Sequence, residues 1–198
     1  MYEAEVKRAT PELSKTLAKI GDTVFRPNNE PSLSDDFALF YSADNSKNLY
    51  YIDDEKGNPI SSAGVYKNVC SLNGLQLHVA SLGNVWTLAE HQGQKLASRI
   101  IGQIIKDLEQ EPVSILLVSG EESIYRRIGC SSVGKMVVAI FERGVERDSI
   151  SDQFQTIHVK PEERESHASE LLEIHENEPI RYVRNISQMV VFLRTLGY

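Results

Sequence analysis

The stretch Val85-Trp86-Thr87-Leu88-Ala89-Glu90-His91-Gln92-Gly93-Gln94-Lys95-Leu96-Ala97-Ser98 carries the most specific signal in the sequence. A β-rich run passes into a polar loop, and the loop opens a strongly apolar helix. Beyond Gly93 the apolar period becomes helical: Leu96, Ile100, Ile104 and Leu108 form one row and Ala97, Ile101 and Ile105 the next, a wide stripe suited to lie on a sheet. The spacing predicts a helix that starts near Gly93 and ends at Pro112. A loop at a helix N-terminus offers unpaired backbone N–H groups and the positive end of the helix dipole, which favour a phosphate or pyrophosphate.

Working outward, residues 75–88 read as a long strand interrupted at Gly83-Asn84, the sign of a bulge or a close backbone approach. Before it, 49–52 and 60–69 read as strands joined by the polar turn 53–59, with a second turn at Asn73-Gly74. Residues 3–9 suggest a short first strand, Pro11 opens a helix with Leu13, Leu17 and Ile20 at helical spacing, and 35–39 suggest a further short helical piece. After it, the continuous apolar run 113–118 predicts a strand buried on both faces. Residues 123–128 predict a short helix that Gly129 terminates in a left-handed cap, and 132–141 a last strand. Strand, helix and strand across 75–118 require a right-handed crossover if the strands are parallel neighbours. The fold class is therefore α/β or α+β, with a mixed sheet. Residues 144–152 are polar and turn-rich and read as a linker, followed by a candidate strand at 154–159 and candidate helices at 161–176 and 186–196.

The chain has 198 residues, with 21 basic against 28 acidic side chains, 41% hydrophobic and 25% charged residues, the balance of an ordinary globular protein. A formal charge of −7 argues against nucleic acid as a partner, since backbone phosphates need a basic footprint. The longest apolar run, 136–141, is far short of the roughly 20 residues that span a bilayer. The N-terminus lacks the basic head and apolar run of a secretory signal, so the expected location is cytoplasmic. Cys70 and Cys130 form no metal or disulfide pattern and are expected to be reduced and buried. His158, His167 and His175 have no metal-ligand spacing, and no metal is expected.

Gln92-Gly93-Gln94-Lys95-Leu96-Ala97 resembles the acetyl-CoA signature Q/R-x-x-G-x-G/A of the GNAT superfamily of N-acetyltransferases, with Lys95 standing where the signature has its first glycine. The order of predicted elements over 3–143 agrees with that resemblance. So does Tyr125-Arg126-Arg127-Ile128-Gly129-Cys130, which is similar to the family's Y-x-x-x-G-F pattern apart from Cys130. The resemblance implies an acyl-CoA N-acyltransferase fold: a mixed, mostly antiparallel sheet with a central splayed parallel strand pair and flanking helices. Tyr50-Tyr51-Ile52, Ala80-Ser81-Leu82-Gly83 and the 177–184 segment narrow the likeness to the N-terminal domain of Eis-like tandem-GNAT proteins. On that reading 1–143 is the GNAT domain, and 144–198 is an appendage or the start of a truncated second unit.

The same resemblance implies transfer of an acetyl group from acetyl-CoA to a primary amine, small-molecule or peptide. Val85, Trp86 and Thr87 would pair with the pantetheine arm, and Gln92, Gly93, Gln94, Lys95, Leu96, Ala97 and Ser98 would hold the pyrophosphate. Tyr125 matches the family's general acid, which protonates the departing thiolate. The base is open among Glu90, His78 and Glu122. Lys95, Arg99, Arg126 and Arg127 are local cations that offset cofactor charge, and the acidic surface suits a cationic acceptor such as a polyamine, an aminoglycoside or a lysine side chain. The alternative is a non-catalytic acyl-CoA-binding or regulatory module. A homo-oligomer is left open.

Overall fold

The computed structural model describes residues 5–26, 31–120, 123–133 and 159–195. Glu122, the linker 144–152 and all but the ends of 132–141 and 154–159 lie outside the described residues.

The central feature is one long hairpin. Strand β3 (Pro59–Leu72) returns as β4 (Leu75–Thr87) through Asn73 and Gly74, both at positive φ (49° and 87°), a two-residue turn whose twist matches that of the strands it joins. Strand β2 (Leu49–Asp53) pairs with the first half of β3, and the two-residue β1 (Lys7–Arg8) pairs with β2, all antiparallel. On its other edge β4 meets β5 (Ile115–Val118) in parallel, with Val79 opposite Ile115 and Leu82 opposite Val118. The order is β1-β2-β3-β4-β5, a mixed sheet with one parallel pair, as expected.

The interruption at Gly83-Asn84 is a bulge. Ser62 faces Trp86 and Gly64 faces Gly83, so Ala63 alone stands opposite Asn84 and Val85, and Asn84 takes φ 51°. One extra residue reverses the face on which later side chains lie. Ala80 and Leu82 accordingly point into the cluster under helix α3 (Leu96–Leu108), whereas Trp86, an even-numbered residue like them, points into the cluster under helix α1 (Pro11–Phe25).

On one face α3 buries Leu96, Ile100, Ile101, Ile104 and Leu108 against Tyr50, Ile52, Ala63, Val65, Ala80 and Leu82. At about 1.5–3 kcal/mol for each large apolar side chain buried, this stripe alone outweighs the helix's own propensity. On the other face α1, started by Thr10 and Pro11, packs Leu17 and Ala18 with Leu33, Phe40, Leu49 and Trp86.

Several expectations need correction. The second helix, α2, is Leu33–Asp36 rather than 35–39, because Ser32 caps it and Asp22 accepts from the Leu33 N–H at 2.7 Å. Strand β5 is not buried on both faces: Ile115 is 41% exposed, and β4 is the only described strand it pairs with. Cys70 and Cys130 are free but half-buried rather than buried. In the last segment, a 3-10 turn and helix α5 (Ala168–Glu176) precede a strand that periodicity does not reveal, β6 (Ile180–Tyr182), and helix α6 (Ile186–Thr195) follows. Strand β6 pairs antiparallel with Cys70, Ser71 and Leu72, on the β3 edge that β2 leaves uncovered, and the Val183 N–H donates to the Val69 carbonyl at 2.7 Å.

Candidate active site

Parallel pairing of β4 with β5 stops at Leu82 and Val118. At that point β5 ends while β4 runs on to Thr87, so among the described residues the β5-side edge of β4 lies open from Gly83 onward, and such an opening at strand carboxyl ends is where α/β sheets hold ligands. The Trp86 carbonyl accepts from Ser61 Oγ at 2.9 Å and the Leu88 N–H donates to the Ile60 carbonyl at 3.0 Å, so both groups are turned to β3. Thr87, between them, has its backbone groups on the open side by the alternation of the ladder, and its carbonyl accepts from Gln92 Nε2 at 3.4 Å. The expected trio therefore divides. Val85 packs under α3, Trp86 is a buried core aromatic with its carbonyl committed to β3, and Thr87 borders the opening.

The loop after β4 makes a single 3-10 turn at Ala89–His91, and Gly93 follows at φ 79°. Lys95 then sits in the left-handed region, φ 60° and ψ 21°, as the residue before α3. Helix α3 starts three residues later than expected because Lys95, not Gly93, is its N-terminal flank. No side chain caps it and its first turn holds no acidic residue. Gln92, Gly93, Gln94 and Lys95 are exposed, Leu96 is buried, and Ala97 and Ser98 are half-buried in the first turn. An uncapped helix N-terminus with exposed Lys95 and Arg99 beside it is a site of positive potential.

Tyr125 lies on the short helix α4 (Ser123–Arg127), at the carboxyl end of β5. The helix closes as expected. Gly129 takes φ 93°, its N–H donates to the Arg126 carbonyl at 3.1 Å, and the Cys130 N–H reaches the Tyr125 carbonyl at 3.0 Å, the paired bonds of a left-handed C-terminal cap. The Tyr125 ring is half-buried against the α3 cluster and lies over Gly120, where an added Cβ would come within 2.8 Å of it. Arg126 and Arg127 are exposed on the same short helix.

The candidate bases are not brought together. Glu90 is exposed on the loop at the carboxyl end of β4. His78 is exposed at the opposite end of the parallel pair, where its carbonyl accepts from the Ser114 N–H. Four residues separate it from Leu82, roughly 13 Å along an extended strand, which removes it from the opening. Among the described residues no group of three or more His, Cys, Asp or Glu could hold a metal ion, and no helix is long and apolar enough to cross a membrane.

A family model described as acetyltransferase (GNAT) domain matches residues 5–133. No curated protein matches the sequence. Among solved structures, a GNAT family acetyltransferase from Brucella melitensis in complex with acetyl-CoA is similar at TM-score 0.55 and 15% identity, over 67% of this chain and 85% of that one. Glucosamine-6-phosphate N-acetyltransferase from Arabidopsis thaliana is similar at TM-score 0.54 and 11% identity, over 71% of this chain and all (100%) of that one. A conserved protein of unknown function from Enterococcus faecalis, probable N-acyltransferase, is similar at TM-score 0.56 and 17% identity, over 65% of this chain and only 32% of that one.

Proposed function

The chain belongs to the GNAT acetyltransferase family, and from that premise we propose that it transfers an acetyl group from acetyl-CoA to the primary amine of an acceptor, with Tyr125 as general acid. The observation that carries this reading is the edge of β4 left open where β5 ends, after Leu82 and Val118, with the uncapped N-terminus of α3 following the carboxyl end of β4 and Tyr125 following that of β5. Acetyl-CoA supplies an activated thioester on a long arm that ends in phosphates. The exposed amides of 93–95 and the first turn of α3, with Lys95 and Arg99, suit the pyrophosphate, and the open side of Thr87 suits the arm.

The chemistry asks two things of the protein. An amine attacks only when neutral, so a base takes its proton, and Glu90, on the loop beside the opening, is the base we propose. The N–C bond then forms as the C–S bond breaks, and the thiolate takes a proton. A phenol, at an ordinary value near ~10, still holds its proton at neutral pH and can give it up to a thiolate of similar basicity. The free, half-buried thiols of Cys70 and Cys130 suit a cytoplasmic setting, which we also infer.

Isothermal titration with acetyl-CoA tests the cofactor assignment: saturable one-to-one binding is expected, and no heat at high micromolar concentration would reject it. Tyr125→Phe is expected to lower kcat at least about tenfold with acetyl-CoA affinity unchanged, the loss typical of removing a general acid. Wild-type turnover in that variant would remove Tyr125 from the mechanism. The left-handed Lys95 favours one second reading, a module that binds acyl-CoA without turning it over. Binding with no acetylated product from any amine would select it.

A further inference from the structure

On the sheet face opposite α3 lies a cavity of about 270 Å³ that the reaction scheme above does not use. Its floor is Tyr66 and Ser81, which stand directly opposite each other on β3 and β4. Phe37 and Phe40 form one wall, and Tyr182 of β6 and Phe192 of α6 the other. The last segment of the chain therefore builds about a third of it. Gln188 Nε2 donates to the Tyr66 hydroxyl at 3.2 Å, which ties α6 to the floor.

Two features connect this cavity with the opening between β4 and β5. Ser81 immediately precedes Leu82, the last β4 residue paired with β5. Phe40, which lines the cavity, also lies against Gly83, 3.6 Å from where a Cβ would be, so one wall residue joins the cavity to the first β4 residue beyond the pairing, on the side away from α3. A molecule held there lies on the sheet face away from α3, beside the last paired residue of β4.

The lining decides what that molecule is. Five of its residues are aromatic: Phe37, Phe40, Tyr66, Tyr182 and Phe192. Among the described residues its one carboxylate, Asp36, is already paired with Arg26. The one cation among the described lining residues, Arg184, lies over the Phe192 ring at 4.4 Å from the centroid. A polyamine or an aminoglycoside needs several acidic partners for its ammonium groups, and here it would find one neutralised acid and one repelling guanidinium. The volume is also at the lower limit of small-ligand sites, which run from roughly 300 Å³ upward, enough for a body of about one ring.

We propose that this cavity is the acceptor pocket, and that the acceptor is a primary monoamine carried on an apolar, ring-sized body. The inference rests on the acetyl-transfer reading and narrows its acceptor. It also gives the last segment a role, since β6 and α6 supply Tyr182, Arg184 and Phe192. In the reaction the amine nitrogen of the seated molecule gains the acetyl carbon, the thioester sulfur leaves as thiolate, and the products are an apolar N-alkylacetamide and the free thiol.

The test uses 2-phenylethylamine, spermidine and kanamycin, each measured by calorimetry without cofactor and by acetyl transfer with acetyl-CoA. 2-Phenylethylamine is expected to bind, and to be acetylated with kcat/KM at least tenfold above either polycation. Phe192→Ala and Phe37→Ala remove rings that are 37% and 48% exposed, so the fold is retained, and each is expected to raise KM for 2-phenylethylamine about tenfold while kcat and acetyl-CoA affinity hold. Arg184→Glu is expected to improve spermidine relative to 2-phenylethylamine. Preference for spermidine or kanamycin by the wild type, or an unchanged KM in both ring variants, would overturn the proposal. If 2-phenylethylamine binds, loses affinity in Phe192→Ala, and yet acetyl-CoA gives no heat, the pocket stands as an amine site and the acetyl-transfer reading fails.

Discussion

Lys95 occupies a backbone region that costs an L-residue with a β-carbon about 1–2 kcal/mol, and it does so where the resembling signature carries glycine. Lys95→Gly is expected to relieve that strain, part of the gain being returned as unfolded-chain entropy, for a net rise of up to about 1 kcal/mol, or 2–4 °C in Tm. The same change removes a cation beside the α3 N-terminus, so acetyl-CoA affinity is expected to fall. Thermal melting with and without cofactor checks both directions, and a variant less stable than wild type, or one that binds more tightly, contradicts the assignment. Asp107 offers a second test. It accepts from Tyr50 at 2.8 Å, Arg8 at 2.7 Å and Gln103 at 2.8 Å, and so pins α3 to β1 and β2. Burial pushes its carboxyl up, but the hydrogen bonds from Tyr50, Arg8 and Gln103 outweigh this and hold it below the usual carboxylate range. A carboxyl held low gives stability that is full above its unfolded value, near ~3.9, and is lost as pH falls through the lower folded value. Asp107→Asn is therefore expected to cost about 1–2 kcal/mol at pH 7, the Arg8 partner being half exposed, and the gap from wild type should close as pH falls through the lowered folded value. A gap independent of pH in thermal melts would show that the charge is not what matters.

At the scale of elements, the β4 bulge decides which core receives Trp86. Deleting Asn84 would restore strict pairing with Val85 opposite Ala63 and Trp86 still opposite Ser62, so Trp86 is expected to stay in the α1 cluster and the cost to be well below the roughly 3–5 kcal/mol of losing a buried Trp side chain. Thermal melts that show the full loss expected for an expelled Trp would mean that Asn84 is not the extra residue of the bulge. The bulge was legible in the sequence because Gly83-Asn84 breaks an otherwise continuous β run. The row of α3 was legible because Leu96, Ile100, Ile104 and Leu108 keep one period. The start of α3 was not, since nothing in a lysine's propensity announces a left-handed conformation. Strand β6 was not either: three residues after Pro179 are too few for a period, and their strand form comes from the free edge of β3 at 70–72, a partner more than 100 residues away in sequence. Tyr125 and loop 92–97 are pointed to by the resemblance, whereas the place of His78 at the other end of the parallel pair follows from register, which pairing partners fix and spacing alone does not.

For the molecule as a whole, the sheet separates two kinds of work. The α3 side and the strand ends carry positive potential and Tyr125; the opposite side carries an aromatic cavity that the last segment completes. A net charge of −7 first pointed to a polycationic acceptor, yet the cavity lining points to a monoamine, because local lining and not the whole-chain charge meets the ligand. The division into 1–143 and 144–198 matters here as well: if the second part is an appendage that completes the pocket, changes in it should alter acceptor KM while acetyl-CoA binding holds. The measurement that bears most directly on the central claim is release of the CoA thiol from acetyl-CoA by the purified protein, followed together with mass analysis of the amine. Thiol release that requires both protein and a primary amine, with an N-acetylated product in equal amount, is the predicted result. Saturable acetyl-CoA binding with neither thiol nor acetylated amine, across monoamines, polyamines and lysine peptides, would contradict it.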